Sequence, residues 1–285
     1  MKYEYLTEEA CIAFIEAALA EDIQDGDHST LATVPDKMGE KASMMVKSDG
    51  IIAGLDLAKL IFSYVDDQLE VELFNQDGDQ VERGQVALYV KGKAASILTA
   101  ERLVLNCAQR MSGIATYTNR MVKLIEGTNA KILDTRKTTP NFRLLEKWAV
   151  KIGGGTNHRY GLFDMVMLKD NHIDFAGGIT KAVGDTVAYL KKHNLDLRIE
   201  VETRNFNEVR EAAETGHVDV IMLDNMSPER MKKAIDIIDG RCQSEASGGI
   251  TEKSLRAVAE TGVDFISMGA LTHSAGILDI SLNAF

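Results

Sequence analysis

Apolar and polar residues follow two rhythms along this chain, and the change falls after about residue 130. In the first part, residues 7–20 place Ile12, Ile15 and Leu19 at helical spacing, which predicts an opening helix. From 41 to 90 the apolar runs shorten to ASMMV, GIIAG, LEVELF and VALYV, punctuated by Gly and Asp. That pattern predicts strands with one helix over 56–64, a small α/β layer domain. The segment FNQDGDQVERGQ at 74–85 carries an Asp-Gly-Asp suggestive of calcium. A calcium loop also needs a bidentate Glu at its twelfth position and flanking helices. Strand-like runs flank this one instead, so a hairpin connection is expected.

Residues 94–126 (AASILTAERLVLNCAQRMSGIATYTNRMVKLIE) form one helical stretch, long enough to bridge two domains. Beyond it, six short apolar strands ending in polar residues alternate with helical segments: KILDTR, DMVMLKD, LRIEVET, VDVIMLDN, QSEASGG and VDFISMG. Such alternation builds parallel βαβ units. An eight-unit barrel takes about 250 residues and only about 155 follow Lys131, so six units in a shortened barrel or an open sheet are expected, with closure undecided.

Length and charge narrow the function. The 285 residues are 45% hydrophobic and 26% charged, with 32 Lys plus Arg against 43 Asp plus Glu and a net charge of −11. One large or two modest domains fit that length. The acidic balance argues against a nucleic-acid or membrane surface. Glu8 and Glu9 interrupt the stretch where a secretory signal would be apolar, and no uncharged apolar run approaches about 20 residues. A soluble cytoplasmic protein is expected. Cys11, Cys107 and Cys242 are odd in number and far apart, which fits buried reduced thiols rather than a zinc or redox pair.

Parallel α/β folds place their sites at the carboxyl ends of the strands, and here those ends are polar. They carry Asp134, Thr135, Arg136, Lys137 and Thr138 on the first strand, and Lys169, Asp170, Asn171 and His172 on the second. Glu200 and Glu202 follow on the third, and Asp224 and Asn225 on the fourth. Between the first two strands Gly153, Gly154 and Gly155 precede Asn157, His158 and Arg159. Three glycines let backbone approach a ligand, although they lack the Lys-Ser/Thr of a P-loop. From 131 to 172 there are eight Lys plus Arg and four Asp plus Glu, a local +4 inside a remainder of −15. Arg143, Lys147 and Lys151 fit a solvated helix face. Arg136, Lys137, Arg159 and Lys169 sit at strand ends or beside the glycines and point to an anion site.

Alternation along the third strand puts Glu200 and Glu202 on one side of the sheet, and with Asp224 they offer hard oxygen donors for Mg²⁺ or partners for the nearby cations. Which of Glu200 and Glu202 meets a metal is undecided. Ser247, Gly248 and Gly249, then Met268, Gly269 and Ala270, would present backbone N–H groups at helix starts, either as a phosphate cradle or as plain tight turns. The residues therefore suggest an enzyme for a phosphorylated sugar and a second anion.

AERLVLNCAQRMSGIAT, ILDTRKTTP, LEKWAVKIGGGTNHRYGL, MLKDNH, IEVET, IMLDN, EASGGI and MGALTHS, densest from 100 to 274, together resemble the quinolinate phosphoribosyltransferase family. The link at 175–198 is longer than the family spacing, and Pro-Asn-Phe-Arg at 140–143 replaces its usual Pro-Gly turn. Neither departure touches a motif charge. The resemblance implies an N-terminal α/β sandwich over 1–110, joined by the tail 275–285, and an incomplete six-stranded parallel α/β barrel over 111–274. It implies transfer of phosphoribose from 5-phosphoribosyl 1-diphosphate to quinolinate with Mg²⁺, giving nicotinate mononucleotide, pyrophosphate and carbon dioxide.

By the same resemblance Arg136, Arg159 and Lys169 bind the quinolinate carboxylates, with His158 lining their pocket and Lys137 between quinolinate and diphosphate. Thr135 belongs to the same substrate-binding strand end. Glu202 and Asp224 match acids near the ribose hydroxyls and the metal. Ser247, Gly248, Gly249, Met268, Gly269 and Ala270 match a 5-phosphate cradle, with His273 nearby. Arg102 matches an arginine that completes the neighbouring subunit's site, which implies a homodimer.

Three other readings remain at this level. A paralogue taking another heterocycle would be favoured by loss of the carboxylate-binding arginines, and both Arg136 and Arg159 are present. A Schiff-base aldolase would use Lys137 or Lys169 but gives no purpose to the arginine cluster. A non-catalytic binding protein would leave the acids and the phosphate cradle unexplained.

Overall fold

The computed structural model describes residues 5–34 and 39–285, which fall into two compact units. The first comprises 1–119, 137–154 and 270–285, and the second 120–136 and 155–269. These limits cut the chain differently from a boundary at 110, because the segment 137–154 packs with the first unit.

In the first unit the opening helix Glu8–Ile23 starts where Thr7 accepts the Ala10 N–H, with Glu8 and Glu9 in its first turn. Both features suit a helix N-terminus. A second short helix, His28–Thr33, is capped by Asp27. The main sheet is antiparallel, in the order Ile280–Ala284, Glu40–Val46, Val86–Gly92, Glu70–Leu73. The C-terminal strand thus lies beside the first one. The expected hairpin joins Glu70–Leu73 to Val86–Gly92, but its loop makes the two-residue strand Gln80–Val81, which pairs with Gly50–Ile51. Asp77 of the Asp-Gly-Asp accepts the Leu55 N–H at 2.8 Å and caps helix Leu55–Val65.

The long helix Ala94–Leu124 runs through Asn119 in the first unit and continues into the second. Its small residues let other backbone come close. A β-carbon on Gly113 would lie 2.0 Å from the Gly276 carbonyl oxygen, and Ser112 Oγ accepts the Ala53 N–H at 2.8 Å. Helix Arg143–Ile152 packs on the long helix as well, for a β-carbon on Gly153 would lie 2.5 Å from the Ala115 carbonyl. The first of the three glycines therefore serves helix packing. Residues 144–150 are all buried, so the solvated helix face expected for Lys147 is not what forms: that side chain is fully enclosed.

The second unit holds six parallel strands: Lys131–Leu133, Val166–Leu168, Ile199–Thr203, Val220–Asp224, Gln243–Ser247 and Phe265–Ser267. Counted along the chain, their order across the sheet is first, sixth, fifth, fourth, third, second. That is a barrel sequence opened between the first and second strands. At that opening Thr156 bridges Leu133 in parallel, so part of the loop after the glycines extends the first strand's edge. Val201, Ile221, Leu223, Ala246 and Ile266 make one face apolar and fully buried. The register puts Glu200, Glu202, Met222, Asp224, Glu245 and Ser247 together on the other. Among the described residues no helix is long and apolar enough to cross a membrane.

Candidate active site at the strand ends

The polar face of the parallel sheet is layered. Glu200, three residues short of the end of the third strand, and Glu245, two short of the end of the fifth, are both buried, and the ring of His158 meets both. Its Nε2 is 2.8 Å from Glu200 Oε2 and 3.4 Å from Glu245 Oε2. Burial alone would depress the imidazolium, yet hydrogen bonds and charge from the two glutamates outweigh it and push His158 up to about 9. Burial raises the Glu200 carboxyl, while the His158 contact opposes that shift. His158, Glu200 and Glu245 are the group of three metal-ligating side chains close enough to hold an ion among the described residues. The 2.8 Å separation of His158 Nε2 from Glu200 Oε2 is that of a charge-assisted hydrogen bond.

Asp134, buried just past the first strand, fixes the main chain leading to that ring. Its carboxylate accepts the His158 N–H at 2.8 Å and Asn157 Nδ2 at 2.6 Å. Arg159 follows, donating from Nη1 to the Met165 carbonyl at 3.1 Å and from Nη2 to Met167 Sδ at 3.6 Å. Burial, and then the charge of Arg136, hold Arg159 below its ordinary range. Two guanidinium groups therefore share one region of the sheet end. Arg136 Nε is buried with no hydrogen-bond partner.

Nearer the strand ends, Lys169 Nζ is 3.4 Å from Glu202 Oε2, with Lys169 about half exposed. This ion pair separates Glu202 from Glu200: both lie on one face, but Glu200 is engaged with His158 one layer deeper. A half-exposed, paired ammonium is also the opposite of the desolvated amine that a Schiff-base lysine needs. Glu202 and Asp224 occupy the same face of adjacent strands, Asp224 two residues beyond Met222, the partner of Glu202. Asn225 Nδ2 donates to Asp224 at 2.6 Å.

Ser247 pairs with Asp224, and Gly248 and Gly249 turn the chain with φ of +90° and +62°. Helix Glu252–Ala259 begins only after Thr251, so the Ser-Gly-Gly forms a turn before the helix, not its first turn. Met268 is buried and donates its N–H to the Leu133 carbonyl at 3.0 Å, and Gly269 follows directly before the single turn Ala270–His273. Thr135 is half-buried between Asp134 and Arg136.

The remaining expected residues lie in the first unit. Arg102 is exposed on the long helix, and Lys137 is exposed directly after Arg136. Thr272 Oγ1 donates to the Lys137 carbonyl at 2.9 Å, and His273 Nδ1 is 2.5 Å from Ser274 Oγ. The same unit contains an ionic hub with no counterpart in the expected set. Buried Glu146 accepts Arg110 Nη2 at 2.9 Å, the Thr139 N–H at 3.0 Å and Thr139 Oγ1 at 3.0 Å. Arg110 also donates to the Ala275 carbonyl at 2.7 Å and to that of Thr272. Only the pairing of two distant charges in the fold reveals it.

Two family models match the chain. The quinolinate phosphoribosyl transferase C-terminal domain covers residues 114–283, and the N-terminal domain covers 27–112. The chain is 48% identical over 285 residues to the chloroplastic nicotinate-nucleotide pyrophosphorylase [carboxylating] of Arabidopsis thaliana, a match spanning 95% of this chain and 81% of that protein. It is 48% identical over 283 residues to quinolinate phosphoribosyltransferase [decarboxylating] 1b of Nicotiana tabacum, covering 94% and 80%. Among solved structures, NadC from Streptococcus pyogenes superposes with a TM-score of 0.92 at 40% identity, covering 98% of this chain and 99% of that one.

Proposed function

The chain belongs to the quinolinate phosphoribosyltransferase family, and on that premise we propose how its residues divide the work of the reaction. The activity is that of a carboxylating nicotinate-nucleotide pyrophosphorylase, forming nicotinate mononucleotide from quinolinate in NAD biosynthesis. The substrates the family implies are quinolinate and 5-phosphoribosyl 1-diphosphate.

In our reading Arg136, Arg159 and Lys169 take the two quinolinate carboxylates, and His158 lines their pocket. The observation that carries this is the Arg136 Nε, a buried donor with no hydrogen-bond partner, in the region where burial and then the charge of Arg136 hold Arg159 below its ordinary range. Two adjacent guanidinium groups suit a dicarboxylate, which relieves their repulsion and accepts planar forked hydrogen bonds. Lys137 lies between quinolinate and the diphosphate in this assignment. Ser247, Gly248, Gly249, Gly269 and Ala270 serve the 5-phosphate, with Met268 holding the turn and His273 nearby.

Glu202 and Asp224 fit a divalent cation as hard oxygen donors on one face of adjacent strands, and they would hold Mg²⁺ together with the diphosphate. When bound, Mg²⁺ offsets the negative charge of the leaving pyrophosphate. The two carboxylates themselves face the ribose, where positive charge develops as pyrophosphate departs. Attack by the pyridine nitrogen then gives a pyridinium, whose charge stabilises the carbanion left as carbon dioxide leaves, and a proton from water replaces the lost carboxylate to give nicotinate mononucleotide. No dedicated acid or base is required, and the protein's main contribution is to hold two polyanions together. We assign the enzyme to the cytoplasm and to a homodimer in which Arg102 reaches the neighbouring site.

Arg159→Ala tests the assignment. It should raise the KM for quinolinate more than that for 5-phosphoribosyl 1-diphosphate; the reverse order would mean that the pockets are exchanged.

A further inference from the structure

The interior of a parallel barrel is ordinarily filled by branched apolar side chains. Here two fully buried carboxylates occupy it, and Glu200 Oε1 and Glu245 Oε1 each lack a hydrogen-bond partner. Stability alone does not favour this, because well-packed apolar residues of similar volume are usually neutral or better than buried ions. A local violation of this kind is expected where function needs it.

What the two acids hold is specific. From the third and fifth strands, with the fourth between them, they grip one ring on the polar face, that of His158. Glu200 also pairs in register with Met167, whose sulfur contacts Arg159. Asp134, just past the first strand, holds the Asn157 side chain and the His158 N–H. The segment carrying His158 and Arg159 is therefore anchored by acids from three separate strands or strand ends. We infer that Glu200 and Glu245 are positioning residues for quinolinate: by fixing His158 they set the place of the adjoining arginine and hence the affinity for the dicarboxylate. This rests on the assignment of His158 and Arg159 to quinolinate.

The test is a graded series in the full-length enzyme. Replacing Glu200 or Glu245 by Leu removes the charge-assisted hydrogen bond and should raise the quinolinate KM about tenfold, the equivalent of about 1.4 kcal/mol. Glu200→Gln and Glu245→Gln keep an acceptor of roughly half the strength, so a rise of about threefold is expected. In all four variants the KM for 5-phosphoribosyl 1-diphosphate should stay within about twofold, and the thermal midpoint of the Gln variants should not fall. If the Leu variants do not fold, the Gln variants carry the test alone. An unchanged quinolinate KM in them, or equal rises for both substrates with a fall in midpoint, would overturn the inference. Arg159→Ala measured alongside separates two failures. If it too leaves the quinolinate KM unchanged, the pocket assignment is wrong; if it raises that KM while the glutamate series stays flat, only the positioning role is wrong.

Discussion

Gly248 sits so close to Asn225 that a β-carbon on it would lie 2.3 Å from Asn225 Oδ1 and 2.9 Å from the Asn225 nitrogen. Asn225 in turn donates to Asp224 at 2.6 Å, and its own N–H is bonded to the Ser247 carbonyl at 2.9 Å. The turn after the fifth parallel strand and the acid ending the fourth are thus one mechanical piece.

Gly248→Ala should disturb both at once. The residue has φ of +90°, a backbone region that costs a non-glycine residue about 1–3 kcal/mol, and the new methyl group must also displace Asn225. The expected outcome is a folded enzyme by circular dichroism whose KM for 5-phosphoribosyl 1-diphosphate rises more than its KM for quinolinate. A selective rise for quinolinate would remove this turn from the phosphate side of the reaction.

Arg102 is exposed on the long helix, whereas Lys169 stands at an end of the parallel sheet paired with Glu202. If Arg102 serves a neighbouring subunit, Arg102→Ala and Lys169→Ala chains, each inactive alone, should recover activity when mixed, since hybrid dimers contain one site carrying neither substitution. Verified heterodimers without activity would confine each site to one chain.

The Arg110–Glu146 pair ties the segment 137–146 to the C-terminal stretch within the first unit. Glu146→Ala leaves part of that guanidinium uncompensated and removes the acceptor for Thr139. A loss of about 3–5 kcal/mol is expected from breaking a buried pair on one side. Urea unfolding of the variant measures it, and a loss below about 1 kcal/mol would mean that water replaces the carboxylate.

Much of this architecture was legible in the sequence for definite reasons. The six parallel strands stood out because buried strands are apolar throughout and end abruptly in the residues the site uses, as in VIMLD and the Asn225 that follows. The long helix was legible from its unbroken length, and the opening helix from the spacing of its apolar residues. His28–Thr33, Gly50–Ile51 and Gln80–Val81 are too short to carry a period, and only Asp27 signals the first of them. Lys147 misled because a helix buried all round still alternates polar and apolar residues. The meeting of His158 with Glu200 and Glu245 depends on strand register between distant segments, which local pattern cannot supply. Glu202 and Glu200 looked equivalent for that reason; their different depths follow only from what each one touches.

Asp77 predicts a pH effect on stability. Burial pushes its carboxyl up to about 6 from an ordinary 3.8, against the opposing hydrogen bond from the Leu55 N–H, and its Oδ2 is buried without a partner. Because the folded state binds this proton more tightly than the unfolded one, the folded state gains from it at low pH. That contribution is full below about 3.8 and lost as pH rises through about 6. Asp77→Asn keeps an oxygen for the Leu55 N–H but has nothing to ionise. Relative to the parent, the variant should therefore gain up to about 3 kcal/mol between pH 4 and pH 7, a shift of about two pKa units. Urea denaturation of both proteins at pH 4, 5.5 and 7 measures the difference. Parallel curves across that window would show that the Asp77 carboxylate is solvated in the folded protein and that its cap over helix Leu55–Val65 carries no electrostatic cost.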